Sequence, residues 1–557
     1  LVVVGLFLLE SAINTWWLGR FRIGYPLDID EAGYMTAAYD DSTALLQHGL
    51  TGLAHAYLTP SQFGPLVPLL TVPAHLTLGR DIFSGLYIEL PFLLALLCVS
   101  YLLGERLGGP LAGVLTTIAV AGMPAVIDFS RSYQFVLATT TVFVGAVYAL
   151  VKSEGGRRRG WSIAWGVLLG AAVLARLMVI AFVPGFIAAA AIQAAAAQDL
   201  RRRRALNTLV GLLVAGAVGA TWYAKNGGVA LHYLVLYGYG AKAADYGPAL
   251  NPLSIGFWTR RVTDSIDQYL YLPLALILVA CLLGTSRQWI RRQPSFTRML
   301  GTGAAAVGVI AIAGYLALTS TSNQGTGFGV PIMPLLLALG AAALVHLQSP
   351  RTRTALAAAL VASAAFNLLS KADLTQPASA NAAVVGRTVA DGRGVIQRYL
   401  VAARYPQADL TRAPADQQRQ WLPAAHDLAR RIEEHASARG LEPIVCFASR
   451  DPLFNTNTLV LEARFADQRR VPVTQMDSRL EGDNVAAYRH ALVDPSRGQP
   501  NYLVTADPAP NEFRGKVTQA YAETAARDLG FVEVESMLLP DGRETRLWWR
   551  GVPLPAA

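Results

Sequence analysis

The chain has 557 residues, of which 53% are hydrophobic and only 15% charged, and its mean hydropathy is +0.36. A soluble globular protein carries more charge and less apolar sequence, so the chain is not a soluble domain alone. The net charge of +9 does not point to nucleic acid, because the arginines gather in short loops between apolar runs, as the positive-inside rule expects of cytoplasmic loops.

Apolar runs long enough to cross about 30 Å of hydrocarbon predict about 11 transmembrane helices. They lie at 1–18, 83–103, 109–126, 134–152, 161–177, 179–198, 205–223, 268–285, 300–319, 329–347 and 354–370. The first is expected to be a span rather than a cleaved leader, since no small-residue cleavage site follows it. The short, proline-bearing apolar segment 64–79 reads as an interfacial or re-entrant helix, or as an extra span.

If the chain starts inside, Arg106, Arg157 to Arg159, Arg201 to Arg204, Arg287 with Arg291 and Arg292, and Arg351 with Arg353 all fall on the cytoplasmic side. Loop 19–82, loop 224–267 and everything after about 371 then lie outside. The expectation is a multi-pass protein of the cell (inner) membrane, with residues 1–370 as its membrane domain and its C-terminal domain outside the cytoplasm.

Residues 371–420 read as a linker, and 421–557 as a soluble α/β domain. Helical periodicity runs from Leu422 to Ala438 and from Phe513 to Leu529. Strands are predicted at Pro443 to Phe447, Val471 to Thr474, Tyr502 to Thr505, Phe531 to Leu538 and Thr545 to Arg550. No glycine-rich phosphate loop follows any of these strands. The three cysteines, Cys98, Cys281 and Cys446, show no metal spacing and no disulfide framework.

Loop 19–82 carries the cluster Asp28, Asp30 and Glu31 directly after the first span. Crowded carboxylates repel one another, which favours a proton or a cation beside them. Such a cluster could serve as a general base or as a metal ligand set, or simply keep a surface loop solvated. His48 and His55 are too far apart on a helix to chelate easily. His75 and His232 could touch a substrate. The tyrosines between Tyr233 and Tyr246 fit an interfacial belt, with sugar stacking as the alternative.

The order of several motifs carries a family resemblance. Asp30-Glu31-Ala32-Gly33-Tyr34 follows the first span, and Phe63-Gly64-Pro65-Leu66 turns into an apolar helix. Gly109-Pro110-Leu111-Ala112-Gly113 opens another, and Met123-Pro124 leads to Phe129-Ser130-Arg131. Leu174-Ala175-Arg176, Trp222-Tyr223-Ala224-Lys225-Asn226 and Val330-Pro331-Ile332-Met333-Pro334 follow in turn. Over about residues 1–350 this resembles the GT-C membrane glycosyltransferases, in particular the protein O-mannosyltransferase and aminoarabinose transferase-like branch.

The resemblance implies a sugar donor on a polyprenyl phosphate, an extracytoplasmic acceptor (lipid, glycan or protein) and inverting displacement. Asp30 matches the position of the catalytic base, with Glu31 and Asp28 beside it and Tyr34 nearby. Asp28 and Asp30 form a DxD pair that could hold a divalent cation, although this branch often works without one. Arg131 and Arg176, at the outer ends of spans, are candidate ligands of the lipid phosphate, since arginine's fork suits that role, or they merely snorkel. Lys225, Arg260, Arg261 and His75 are further candidate contacts. Gln62-Phe63-Gly64 stands where many members carry a lysine, and Gln134 follows Arg131 where many carry an aspartate.

The competing readings are a transporter or lipid-carrier flippase, which would be expected to show internal repeats and broken helices, and a structural membrane protein.

Overall fold

The computed structural model describes residues 1–21, 27, 29–61, 63–196, 199–240, 243, 251, 253–292, 301–321, 323, 325, 327–372, 420–448, 454–467, 471–476, 484–494, 499–507, 519–540 and 542–551. The linker expected at 371–420 and Asp28 fall almost wholly outside them. Contacts divide the described chain into two compact units, residues 1–17 with 41–372 and residues 18–40 with 420–551.

The first unit is helical. In chain order its helices are α1 (Val2–Phe21), α2 (Ile29–Tyr57), α3 (Leu66–Leu78), α4 (Ile82–Tyr87), α5 (Glu89–Gly108), α6 (Pro110–Ala121), α7 (Pro124–Phe129), α8 (Val136–Lys152), α9 (Arg159–Ala175), α10 (Val183–Ala196), α11 (Arg201–Gly238), α12 (Ile255–Ser265), α13 (Tyr271–Arg292), α14 (Gly303–Thr319), α15 (Met333–Val345) and α16 (Pro350–Ala372). The C-terminal end of α1 and the first three turns of α2 belong to the second unit.

Local chemistry sets many of these boundaries. Pro110 and Pro124 open α6 and α7, where a missing N–H costs nothing. Asp81 and Ser84 form a reciprocal capping box at α4. The core is a continuous apolar cluster from α5, α6, α8, α9, α10, α13, α14 and α15, with residues such as Leu96, Phe143, Trp165, Phe182 and Ile310 at its centre. Helix α9 packs on α11 through glycines. A side chain at Gly166 would strike the Gly211 carbonyl, and one at Gly211 would strike the Trp165 ring. Small residues at such crossings let backbones approach, which is how helices associate in lipid.

Among the described residues six segments are long and apolar enough to cross a membrane: Val2–Gly19, Ile82–Gly108, Leu177–Ala196, Arg201–Gly238, Ile255–Ser286 and Pro350–Leu369. Six further apolar helices are shorter. Each apolar run of the sequence falls on one of these helices. Helix α11 continues past the expected end at 223 to Gly238, so the start of the expected loop 224–267 is helical.

The second unit holds a five-stranded sheet in the order β2-β1-β3-β5-β4. Its elements are α17 (Trp421–Ser437), β1 (Val445–Phe447), α18 (Thr456–Asp467), β2 (Val473–Gln475), α19 (Val485–Val493), β3 (Tyr502–Asp507), α20 (Gln519–Asp528), β4 (Val532–Leu538) and β5 (Glu544–Trp549). Strand β1 runs parallel to β2 and β3, and β5 runs antiparallel to β3 and β4. The expected α/β class holds, with two helices beyond those expected. Those two, α18 and α19, are each preceded by an asparagine, Asn455 or Asn484, whose side chain accepts the backbone N–H of the first turn. Helix α17 buries Trp421, Ala425, Leu428, Ile432 and Ala436 at helical spacing. Cys446, Leu503, Ala522, Phe531 and Trp548 fill the core beneath the sheet.

Candidate active site

The acidic motif does not lie in an irregular loop. Asp30 and Glu31 form the first turn of α2, where the positive end of the helix dipole favours carboxylates. Asp30 is exposed, whereas Glu31 is completely buried and Tyr34 is nearly so. These turns pack within the second unit, against α18. Asn457 Nδ2 donates to the Ile29 carbonyl at 2.7 Å. Arg464 Nε donates to Asp40 Oδ1 at 2.9 Å, and its Nη2 to Oδ2 at 3.4 Å. The Tyr39 and Phe465 rings meet edge to face with centroids 5.6 Å apart. Sequence pattern gave no warning of this, because α18 has no long apolar run.

In the first unit the structure gathers a buried polar cluster around Arg131. Its Nε donates to Asn14 Oδ1 at 2.7 Å and its Nη1 to the Lys371 carbonyl at 2.8 Å. The guanidinium lies over the Trp17 ring, 4.8 Å from its centre. Lys371 Nζ pairs with Asp128 Oδ2 at 2.5 Å, both side chains being buried. Asn14 Nδ2 in turn donates to Ser130 Oγ at 2.7 Å. Arg131 is therefore wholly inside, tying α1 and the end of α16 to the turn after α7, rather than standing open at a span end. Glu10 of α1 is also fully buried with Arg131 as its charged neighbour.

Asp128, Asn14 and Lys371 escaped the sequence reading. The signal for Asp128 was a lone acid three residues before Arg131 between apolar runs. Lys371 was indistinguishable from the first residue of a linker.

The other candidates are dispersed in the first unit. Arg176 is half-buried in the turn between α9 and the 3-10 segment Leu177–Phe182, stacked 5.0 Å from the Phe328 ring centre. Tyr269 lies in the field of Arg176, and its hydroxyl accepts the Gly329 N–H at 3.4 Å. His75 is buried on α3, with Nδ1 2.9 Å from Ser42 Oγ. Lys225 is exposed along α11. Arg260 is exposed and pairs loosely with Asp264 at 3.8 Å. Arg261 is buried, donating to the Thr321 carbonyl at 3.0 Å and covering the Phe257 ring. Among the described residues no three His, Cys, Asp or Glu side chains are grouped so as to hold a metal ion.

No protein-family model matches the chain, and no curated protein sequence is significantly similar to it. Solved structures are similar. ArnT from Cupriavidus metallidurans bound to undecaprenyl phosphate aligns over 98% of both chains, at 18% identity and a TM-score of 0.58. The chain shares the fold of that protein. Apo ArnT from the same organism aligns at 17% identity and a TM-score of 0.57, over 98% of this chain and 97% of that one. The Archaeoglobus fulgidus oligosaccharyltransferase in complex with Zn and sulfate aligns at 14% identity and a TM-score of 0.51, over 90% of this chain and 67% of that one. At such identities the likeness is one of fold. Together with the long apolar helices it makes this chain a polytopic α-helical membrane protein.

Proposed function

We propose that the protein is a GT-C glycosyltransferase that moves a sugar from a polyprenyl-phosphate carrier to an extracytoplasmic acceptor. The observation that carries the reading is the alignment over nearly the whole of both chains with ArnT bound to undecaprenyl phosphate. The exposed carboxylate of Asp30, on an anchored helical turn, supplies the chemistry such a fold needs.

In this reading about 11 helices span the membrane, and the acidic turn and the C-terminal domain lie outside. Asp30 takes the proton of an acceptor hydroxyl as general base. The acceptor oxygen attacks the anomeric carbon, the bond from that carbon to the phosphate oxygen breaks, and the polyprenyl phosphate leaves with inversion at the sugar. Glu31, buried beside Asp30, supports the turn. Arg176 is the favoured arginine for the leaving phosphate, since it is only half-buried. Lys225, Arg260 and His75 are weaker candidates. Arg131 and Arg261 act through internal hydrogen bonds to the helices around them.

Purified protein supplied with a labelled polyprenyl-phosphate sugar and a panel of acceptors tests this. Asp30→Asn is expected to lower transfer by about 10² to 10⁴, the usual contribution of general base catalysis. Wild-type transfer in Asp30→Asn would remove Asp30 from the role of base. Carrier movement across a vesicle bilayer without any transfer would favour a flippase instead.

A further inference from the structure

We propose that Asn457 and Arg464 of α18 are positioning residues that hold the first turns of α2, and with them the acidic turn Asp30-Glu31, in register. The proposal rests on the reading of Asp30 as the base, and it makes the C-terminal domain part of the catalytic apparatus rather than a cap.

The geometry has three anchor points on one helix. Asn457 binds the Ile29 carbonyl at the very start of α2. Seven residues later Arg464 grips the Asp40 carboxylate with two nitrogens, a forked contact that fixes orientation as well as distance. Phe465 meets the Tyr39 ring beside it. The anchors lie at the two ends of the segment 29–40, so Asp30 and Glu31 stand on a stretch of helix held at both ends.

Burial strengthens the grip. The Arg464 side chain is only 7% exposed and Asp40 is 30% exposed, so water competes weakly for the pair. Asn455 in turn receives the N–H groups of Asn457 and Thr458, which locks the start of α18 where Asn457 must stand. The start of α18 is thereby tied to the backbone carrying Asp30.

A base works only when its oxygen is in hydrogen-bond reach of the proton it removes, and a displacement of about 1 Å can cost about 10²-fold. Loosening either anchor should thus slow the chemical step and leave binding of the lipid donor alone.

The test uses the full-length protein in detergent or vesicles, with a polyprenyl-phosphate sugar as donor. Asn457→Ala and Arg464→Ala are expected to lower kcat by about 10- to 100-fold with KM for the donor within about twofold. Arg464→Lys should recover only part of the loss, because it keeps the charge but not the fork. Asp40→Ala combined with Arg464→Ala should be no slower than either alone. The exchanged pair Asp40→Arg with Arg464→Asp should recover activity that Arg464→Ala loses. Amide hydrogen exchange should accelerate over residues 30–40 in the alanine variants and stay unchanged over β3 and β5, which separates loosening from unfolding.

Full kcat in both alanine variants, alongside an inactive Asp30→Asn, would overturn the positioning role and leave the base in place. Faster exchange over β3 and β5 as well as 30–40, with no recovery in the exchanged pair, would also overturn it. A fully active Asp30→Asn would instead overturn the base.

Discussion

Glu462 shows how far a single buried acid can shape the protein. It lies on α18, where burial pushes its carboxyl up to about 7, and His426 Nδ1 stands 3.6 Å from it. Its folded value lies above its unfolded one of 4.5, so the folded domain holds the proton more tightly. The stabilisation is complete below about pH 4.5 and is lost as pH rises through about 7. Apparent Tm of the C-terminal domain should thus fall between pH 5 and pH 8, and Glu462→Gln should flatten that slope. An identical slope in Glu462→Gln would assign the dependence to another group.

The Asp128–Lys371 pair poses the complementary problem at the same scale. Each side chain is almost wholly buried, so removing one leaves the other's charge without its ion-pair partner. That loss costs about 3–5 kcal/mol in comparable buried pairs, whereas replacing both partners with apolar residues is often neutral. Lys371→Met alone should lower the unfolding temperature in detergent, and Lys371→Met with Asp128→Leu should recover most of it. A double variant as unstable as the single one would mean that the pair itself stabilises the fold.

Among elements, legibility followed the solvent. Helices in hydrocarbon must bury every backbone group in their own hydrogen bonds and cover themselves with apolar side chains, so each left an unmistakable run. Helix α2 left none. It carries polar residues on most of its length, including Asp40, Asp41, Gln47 and His48, and such a pattern reads as loop. Helices α18 and α19, of 12 and 9 residues, announced themselves only through single asparagine caps. Strands were found because their apolar and β-branched residues cluster, as in Tyr502 to Thr505, although β3 runs on to Asp507. Partnerships across the chain were out of reach. Asp128 meets Lys371 from 243 positions away and Asn457 meets Ile29 from 428, and no local pattern encodes such a meeting.

At the level of the whole molecule, the arginine clusters make a prediction about sidedness. In a variant without Cys98, Cys281 and Cys446, a cysteine at exposed Ala438 should react with a membrane-impermeant maleimide added to the non-cytoplasmic face. A cysteine at exposed Arg157 should react only after the membrane is opened. The reverse pattern would invert the topology and place the acidic turn on the wrong side for an extracytoplasmic acceptor. The motif order read from the sequence pointed to the fold shared with the ArnT structures because it tracked span ends, which the bilayer constrains. The side-chain partners of Arg131 were not anticipated, since a buried arginine and a snorkelling one look alike in one dimension.

The division of α2 has a consequence for anyone exchanging parts between such proteins. The described residues within 18–40 belong to one unit with those within 420–551, although some 380 positions of chain separate them in sequence. A chimera cut only near residue 372 would graft a foreign C-terminal domain onto an α2 matched to Asn457 and Arg464 of this one. The transplantable module is discontinuous, and moving it intact would carry the proposed base along with whatever acceptor preference the domain confers.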